Sequence, residues 1–184
     1  MSGFLRQIEK KKYFQIGFQV CVMLFCIVLD QFTKHLAVLN LKNAPAVPLI
    51  SDVFELSYLE NHGAAFGIMQ GQKVFFICMT AVAFFILVYL MFCIPWERHY
   101  VYLHLTLLLL ASGAVGNFID RCLHGYVIDF FYFKWIDFPV FNVADIYVTV
   151  AAALLLISFT FYYKEEDIDL IYRQLLFWKK KEKH

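Results

Sequence analysis

Charge is scarce in this sequence: Asp, Glu, Lys and Arg make up 17% of its 184 residues, against 61% hydrophobic and 19% aromatic. A mean hydropathy of +0.64 leaves far more apolar surface than a water-soluble domain of this length can hide, so the expected solvent is a bilayer. The formal net charge of +1 is not gathered into a basic stripe interleaved with aromatics, which argues against a nucleic-acid partner. Glycine and proline are few, and nothing repeats at a fixed period or reads as low complexity, so one compact domain is expected. The five cysteines, Cys21, Cys26, Cys78, Cys93 and Cys122, form neither a CxxC pair nor a ladder of secreted-type spacings. They read as small buried hydrophobes. No HExxH or comparable ligand pattern is present, and His104, inside an apolar run, reads as a packed or hydrogen-bonded side chain. Neither a metal nor a cofactor is expected.

What is abundant is long apolar sequence. A span needs roughly 20 apolar residues, because about 1.5 Å of rise per residue must cover a hydrocarbon core of about 30 Å. Stretches at about 14–33, 74–94, 100–117 and 144–163 meet that test, leaving connections of about 34–73 and 118–143 and a tail from 164 to 184. Arg6, Lys10, Lys11 and Lys12 before the first run imitate a signal peptide, but no small-residue cleavage site follows, so a retained helix is expected. Lys and Arg divide 11 to 5 between the two sides. The richer side holds the N-terminus, the turn around Arg98 and the C-terminal tail, which places both termini in the cytoplasm. Trp96, Trp135 and Trp178, near run ends or in a connection, suit the headgroup level.

Both outer connections read as structured. Phe54, Leu56 and Tyr58 alternate with Glu55 and Ser57, a period of two that predicts a half-buried strand leading into an Asn61-His62-Gly63 turn. Tyr126 to Trp135 is rich in aromatic and β-branched residues and also reads as extended. The expected fold is therefore α-helical and membrane-embedded: four transmembrane helices, with a small extracytoplasmic β-sheet on the outer face. The tail reads either as an interfacial helix ending at Trp178 and its lysines or as a solvated segment.

Polar residues are the informative ones in such a chain, because an ionised side chain away from water is costly and is kept for a task or a partner. Asp30 and Lys34 are i and i+4 at the outer end of the first span. Asn117, Asp120 and Arg121 follow the third, Asp129 lies in the outer connection, and Asn142 and Asp145 open the fourth. All fall at one level. Asp30 with Lys34 could be an ordinary exposed helix salt bridge. Asp120 reads best as a loop ion pair with Arg121, accepting backbone N–H bonds near the helix end. Asp129 and Asp145 differ, being set among aromatic and aliphatic neighbours with no adjacent cation. Two buried carboxylates close together hold a single proton near neutral pH, and such a pair hydrolyses amides: one takes a proton from water while the other polarises the carbonyl. Asp145, in the first turn of a helix, feels the positive end of the dipole and is favoured as the ionised base. The competing reading is that Asp145 only caps its helix and Asp129 faces solvent. Spacing alone leaves three functions open: this hydrolase, a small proton- or ion-coupled transporter subunit, and a non-enzymic assembly factor.

Five blocks narrow the choice. In order they are Asp30-Gln31-Phe32-Thr33-Lys34; Asn61-His62-Gly63-Ala64-Ala65-Phe66; Gly113 through Arg121; Gly125-Tyr126-Val127-Ile128-Asp129-Phe130; and Phe141-Asn142-Val143-Ala144-Asp145. Taken together on a four-span chain, they resemble the bacterial lipoprotein signal peptidases, also called signal peptidase II. The resemblance implies removal of the signal peptide from a prolipoprotein, cutting before a cysteine that carries a diacylglyceryl thioether. It implies that Asp129 and Asp145 are catalytic. Asn61, Asn117, Arg121 and Asn142 would hold the substrate backbone and the cyclic peptide inhibitor globomycin, while Asp30, Lys34, Gly113 and Asp120 would support the site. It further implies a bacterial inner-membrane location, contact with membrane lipid, and action as a monomer.

Overall fold

The computed structural model describes residues 2–63 and 73–181, with side chains placed for 12–63 and 73–175. Its elements run α1 (Ser2–Leu41), β1 (Val47–Ile50), β2 (Phe54–Asn61), α2 (Lys73–Cys93), α3 (Val101–Leu123), β3 (Val127–Tyr132), α4 (Val143–Phe161) and α5 (Glu165–Lys181). Among the described residues, four helices are long and apolar enough to cross a membrane, over Lys12–Leu41, Lys73–Cys93, Arg98–Leu123 and Val143–Phe161. Most of their large apolar side chains face outward, among them Phe25, Val28, Val82, Phe85 and Leu156. In water that surface would be a liability; in lipid it is the solvated face. The third helix is central and touches α1, α2 and α4, and half of its apolar window is buried against 6% for each of the first two.

Two helices run further than the apolar stretches predicted. α1 continues two turns past residue 33 to Leu41, because Ala37 and Leu41, one turn apart, pack against Ile128 and Phe130 of β3. α3 continues past residue 117 to Leu123, carrying Asp120 and Arg121 on its last turns. The polar residues there broke the hydropathy pattern without breaking the helix.

The expected sheet is present: β2 pairs antiparallel with β3, Leu59 opposite Asp129 and Asn61 opposite Val127. A strand that the sequence did not announce, β1, pairs antiparallel with the other edge of β2. The alternation read in β2 is blurred, since both its faces are half-covered. Ala64 to Phe66 of the second block lie outside the described residues. The tail forms helix α5, while the side chain of Trp178 lies outside those described. The cysteines depart from expectation: Cys93 alone is buried, and Cys21, Cys78 and Cys122 are exposed on helix exteriors, where an apolar thiol meets lipid as readily as a protein core. His104 is buried against Trp96 as expected, with ring centroids 4.5 Å apart.

Candidate active site

The N-terminus of α4 is the organising feature. Asn142 caps it, with Oδ1 accepting from the Asp145 backbone N–H at 3.0 Å while Asp145 Oδ2 accepts from the Asn142 N–H at 3.1 Å. This reciprocal capping box satisfies two of the orphan donors that every helix start exposes. A third is met from α1: Asp30 Oδ1 accepts from the Ala144 N–H at 2.9 Å. Two glycines of α3 allow this helix start to come so close. A Cβ on Gly113 would lie 2.6 Å from the Ala144 carbonyl oxygen, and one on Gly116 would overlap the Asp30 carboxylate.

Asp145 does cap its helix, but Asp129 does not face solvent. It is 1% exposed on β3, with Oδ1 accepting from Asn142 Nδ2 at 2.6 Å and Oδ2 from Asn61 Nδ2 at 2.9 Å. Asn142 therefore links the two carboxylates, by its backbone to one and by its side chain to the other. Burial and the neighbouring Asp145 charge push the Asp129 carboxyl up to about 7, against the smaller opposing effect of the two amide hydrogen bonds. Asp145 is half-buried, and its Oδ1 accepts from Asn117 Nδ2 at 2.9 Å.

Behind the pair lies a buried ionic cluster. Lys34 Nζ is 3.0 Å from Asp30 Oδ2, 3.0 Å from Asp120 Oδ2 and 2.8 Å from Asn117 Oδ1. Its three N–H donors thus meet three acceptors, although Lys34 and both carboxylates are at most 1% exposed. The exposed helix pair considered for Asp30 and Lys34 is instead a desolvated one. Nor is Asp120 in a loop ion pair with Arg121. It belongs to α3, pairs with Lys34, and accepts the Ile128 N–H at 3.0 Å, which ties β3 to the helix. One residue that sequence reasoning left aside, Gln31, completes the cluster by donating to Asp120 Oδ1 at 2.9 Å and to the Gly116 carbonyl at 3.1 Å. Its signal was there in a polar amide one residue from Asp30, inside a span.

A cleft of about 980 Å³ opens on the pair, lined by Asn61, Asn117, Arg121, Asp129 and Asp145 and walled by Phe133, Phe138, Ile146 and Val148. Arg121 lines it from α3, donating to the Gly63 carbonyl at 3.2 Å with its guanidinium 4.9 Å from the centre of the Phe76 ring. Asn142, expected to hold substrate, lies behind the cleft lining: it is fully buried, and its amide nitrogen donates inside the protein, to Asp129 and to Asn117 Oδ1 at 3.2 Å. Among the described residues no group of His, Cys, Asp and Glu is arranged to hold a metal ion.

Fold and site together define a class: a polytopic helical membrane protein in which two acidic side chains, one buried and one half-buried, share a cleft at one end of the bundle. The family model for signal peptidase (SPase) II matches residues 22–161, and the chain belongs to that family. Among its relatives is the lipoprotein signal peptidase of Caldanaerobacter subterraneus subsp. tengcongensis, 44% identical over 137 residues, which are 74% of this chain and 91% of that one. The lipoprotein signal peptidase of Streptococcus pyogenes serotype M1 is 39% identical across 86% of this chain and 97% of its own length. A solved bacterial membrane enzyme, determined by the in meso method, superposes with a TM-score of 0.68 at 30% identity, covering 82% of this chain and 93% of that one.

Proposed function

We propose that this protein is a membrane aspartyl endopeptidase that removes the signal peptide from diacylglyceryl-modified prolipoproteins, cutting just before the lipidated cysteine, with Asp129 and Asp145 as the catalytic pair. The observation that carries the assignment is the unequal environment of the two carboxylates. Asp129 is buried with its carboxyl raised to about 7, while Asp145 sits at the N-terminus of α4, where the helix dipole favours negative charge. Asp145 therefore takes a proton from the attacking water, and protonated Asp129 donates to the scissile carbonyl oxygen as it gains charge. The tetrahedral intermediate collapses as the leaving amine recovers a proton from the pair.

Asn61, Asn117 and Arg121 line the cleft and are assigned to the substrate backbone and to globomycin. Asn142, with Asp30, Lys34, Asp120 and Gly113, holds the pair in place. The aromatic and aliphatic wall of the cleft suits a diacylglyceryl group and the apolar part of a signal peptide. With both termini in the cytoplasm, the cleft opens at the outer face of the bacterial inner membrane, the depth at which a diacylated cysteine is anchored, and one chain supplies the whole site. A proton- or ion-coupled transporter would need helices broken near the midplane, whereas the four spans here are continuous.

The test is cleavage by purified protein of one prolipoprotein with and without its diacylglyceryl group. The assignment predicts a cut before the lipidated cysteine, blocked by globomycin, and little or none in the unmodified substrate. Equal cleavage of both forms, or of neither, would overturn it.

A further inference from the structure

At the opposite end of the bundle from the carboxylate pair, a second groove of about 240 Å³ opens between residues 14–22 of α1 and the segment 96–108 that leads into α3. His104, on its wall, lies 13 residues before Asn117 on the same helix, which is about 20 Å of rise. Three polar atoms at this groove are buried with no partner among the described residues: Gln19 Oε1, Trp96 Nε1 and His104 Nδ1. A fourth such atom, Thr106 Oγ1, does not line it. An unsatisfied buried donor or acceptor is costly, so three around one groove call for an occupant that completes them.

Their chemistry specifies that occupant. Trp96 Nε1–H can only donate. His104 Nε2 is 3.2 Å from the Pro95 carbonyl oxygen, which can only accept, so Nε2 carries the proton and Nδ1 of the neutral ring accepts. Gln19 Oε1 accepts. The lining includes a carboxylate and a guanidinium adjacent in sequence, Glu97 and Arg98, and the amide of Gln15, while the rest of the wall is apolar, running out along Phe14 and Phe18, which are exposed on the outer surface of α1. The required ligand pairs an acceptor anion with a cation bearing several N–H donors, on an apolar stem reached from the bilayer.

We propose that this groove binds the headgroup of phosphatidylethanolamine, its ammonium donating to Gln19 Oε1 and His104 Nδ1 near Glu97, and its phosphate accepting from Trp96 Nε1–H beside Arg98. With the proposed orientation, the lipid comes from the cytoplasmic leaflet, across the membrane from the cleavage site. The assignment stands on the groove alone and does not depend on the peptidase reading.

Native mass spectrometry of the purified full chain in detergent, with equal amounts of phosphatidylethanolamine, its N-methylated series, phosphatidylcholine and phosphatidylglycerol of matched acyl chains, tests this directly. Wild type should retain phosphatidylethanolamine about fivefold or more over phosphatidylcholine, the difference that one net hydrogen bond makes, with retention falling at each N-methylation. Gln19→Leu, which removes an acceptor for the ammonium, should bring the ratio toward one, whereas Trp96→Phe, which removes a donor to the phosphate that both lipids share, should weaken retention of both and leave the ratio unchanged. The methylation series needs no variant, so it decides the matter even if a substitution impairs folding. Equal retention of phosphatidylethanolamine and phosphatidylcholine, or retention of phosphatidylglycerol as strong as that of phosphatidylethanolamine, would overturn the assignment of the ammonium.

Discussion

Lys34 Nζ lies 2.8 Å from Asn117 Oδ1, and that contact, with Asn142 Nδ2 3.2 Å from the same oxygen, decides which way the Asn117 amide faces. A lysine ammonium only donates, so the amide oxygen turns to Lys34 and the amide nitrogen turns to Asp145, 2.9 Å away. A cation on α1 thereby orients a donor onto a carboxylate of α4 that it does not itself touch.

Replacing Lys34 with Met should therefore do two separable things. It leaves Asp30 and Asp120 as uncompensated buried carboxylates, at a cost of about 3–5 kcal/mol in stability. It also removes the shorter of the two donor contacts, Lys34 Nζ at 2.8 Å and Asn142 Nδ2 at 3.2 Å, that hold the Asn117 amide oxygen, and so loosens the amide that donates to Asp145. Thermal unfolding should show the first loss, and adding Asp120→Asn should recover part of it. Cleavage should stay at least about 100-fold down in the double variant, the scale of a lost catalytic orientation. Activity that returns with stability would reduce Lys34 to a purely structural residue.

The pH profile follows from Asp129. With its carboxyl near 7 and the protonated form required, cleavage should fall as pH rises above about 7. The Asn61 and Asn142 amides donate to the carboxylate and hold its pKa down, so Asn61→Ala should move the alkaline limb to higher pH. A rate-against-pH series on both proteins reads this. An alkaline limb that moves down or stays put would be against the account.

Small residues on α3 set the approach of α4. Gly116→Ala should destabilise by about 1–3 kcal/mol, the usual cost of overpacking, and should also lower activity, because the added methyl displaces the Asp30 carboxylate that holds the α4 start. Gly113→Ala meets the Ala144 backbone and Val148 and should destabilise comparably. Thermal melts beside cleavage rates on the two variants check both effects.

Much of this was legible in the sequence because the bilayer imposes a length rule on spans and a penalty on polar residues within them. Asp30, Lys34, Asn117, Asp129 and Asp145 stood out for that reason, and they meet at one end of the bundle. Helix ends were less legible: Asp120 and Arg121 look like loop in a hydropathy trace, yet lie on α3, since a buried counter-charge from another helix makes a carboxylate compatible with the bundle. That partner is remote in sequence. The inward turn of Asn142 was hidden for a similar reason, because its partners, Asp129 and Asn117, come from β3 and α3. β1 offered only four residues, all exposed, and so carried no alternation to read.

The most direct test is to replace each member of the pair by its amide, which removes a titratable group at nearly constant shape. Asp52→Asn serves as the control, at a site 91% exposed and in a left-handed conformation that asparagine tolerates. Purified Asp129→Asn and Asp145→Asn should both fail to cut a diacylglyceryl-modified prolipoprotein, while still binding globomycin and melting cooperatively, and Asp52→Asn should cut at the wild-type rate. Near-normal cleavage by either amide variant would contradict the two-carboxylate mechanism.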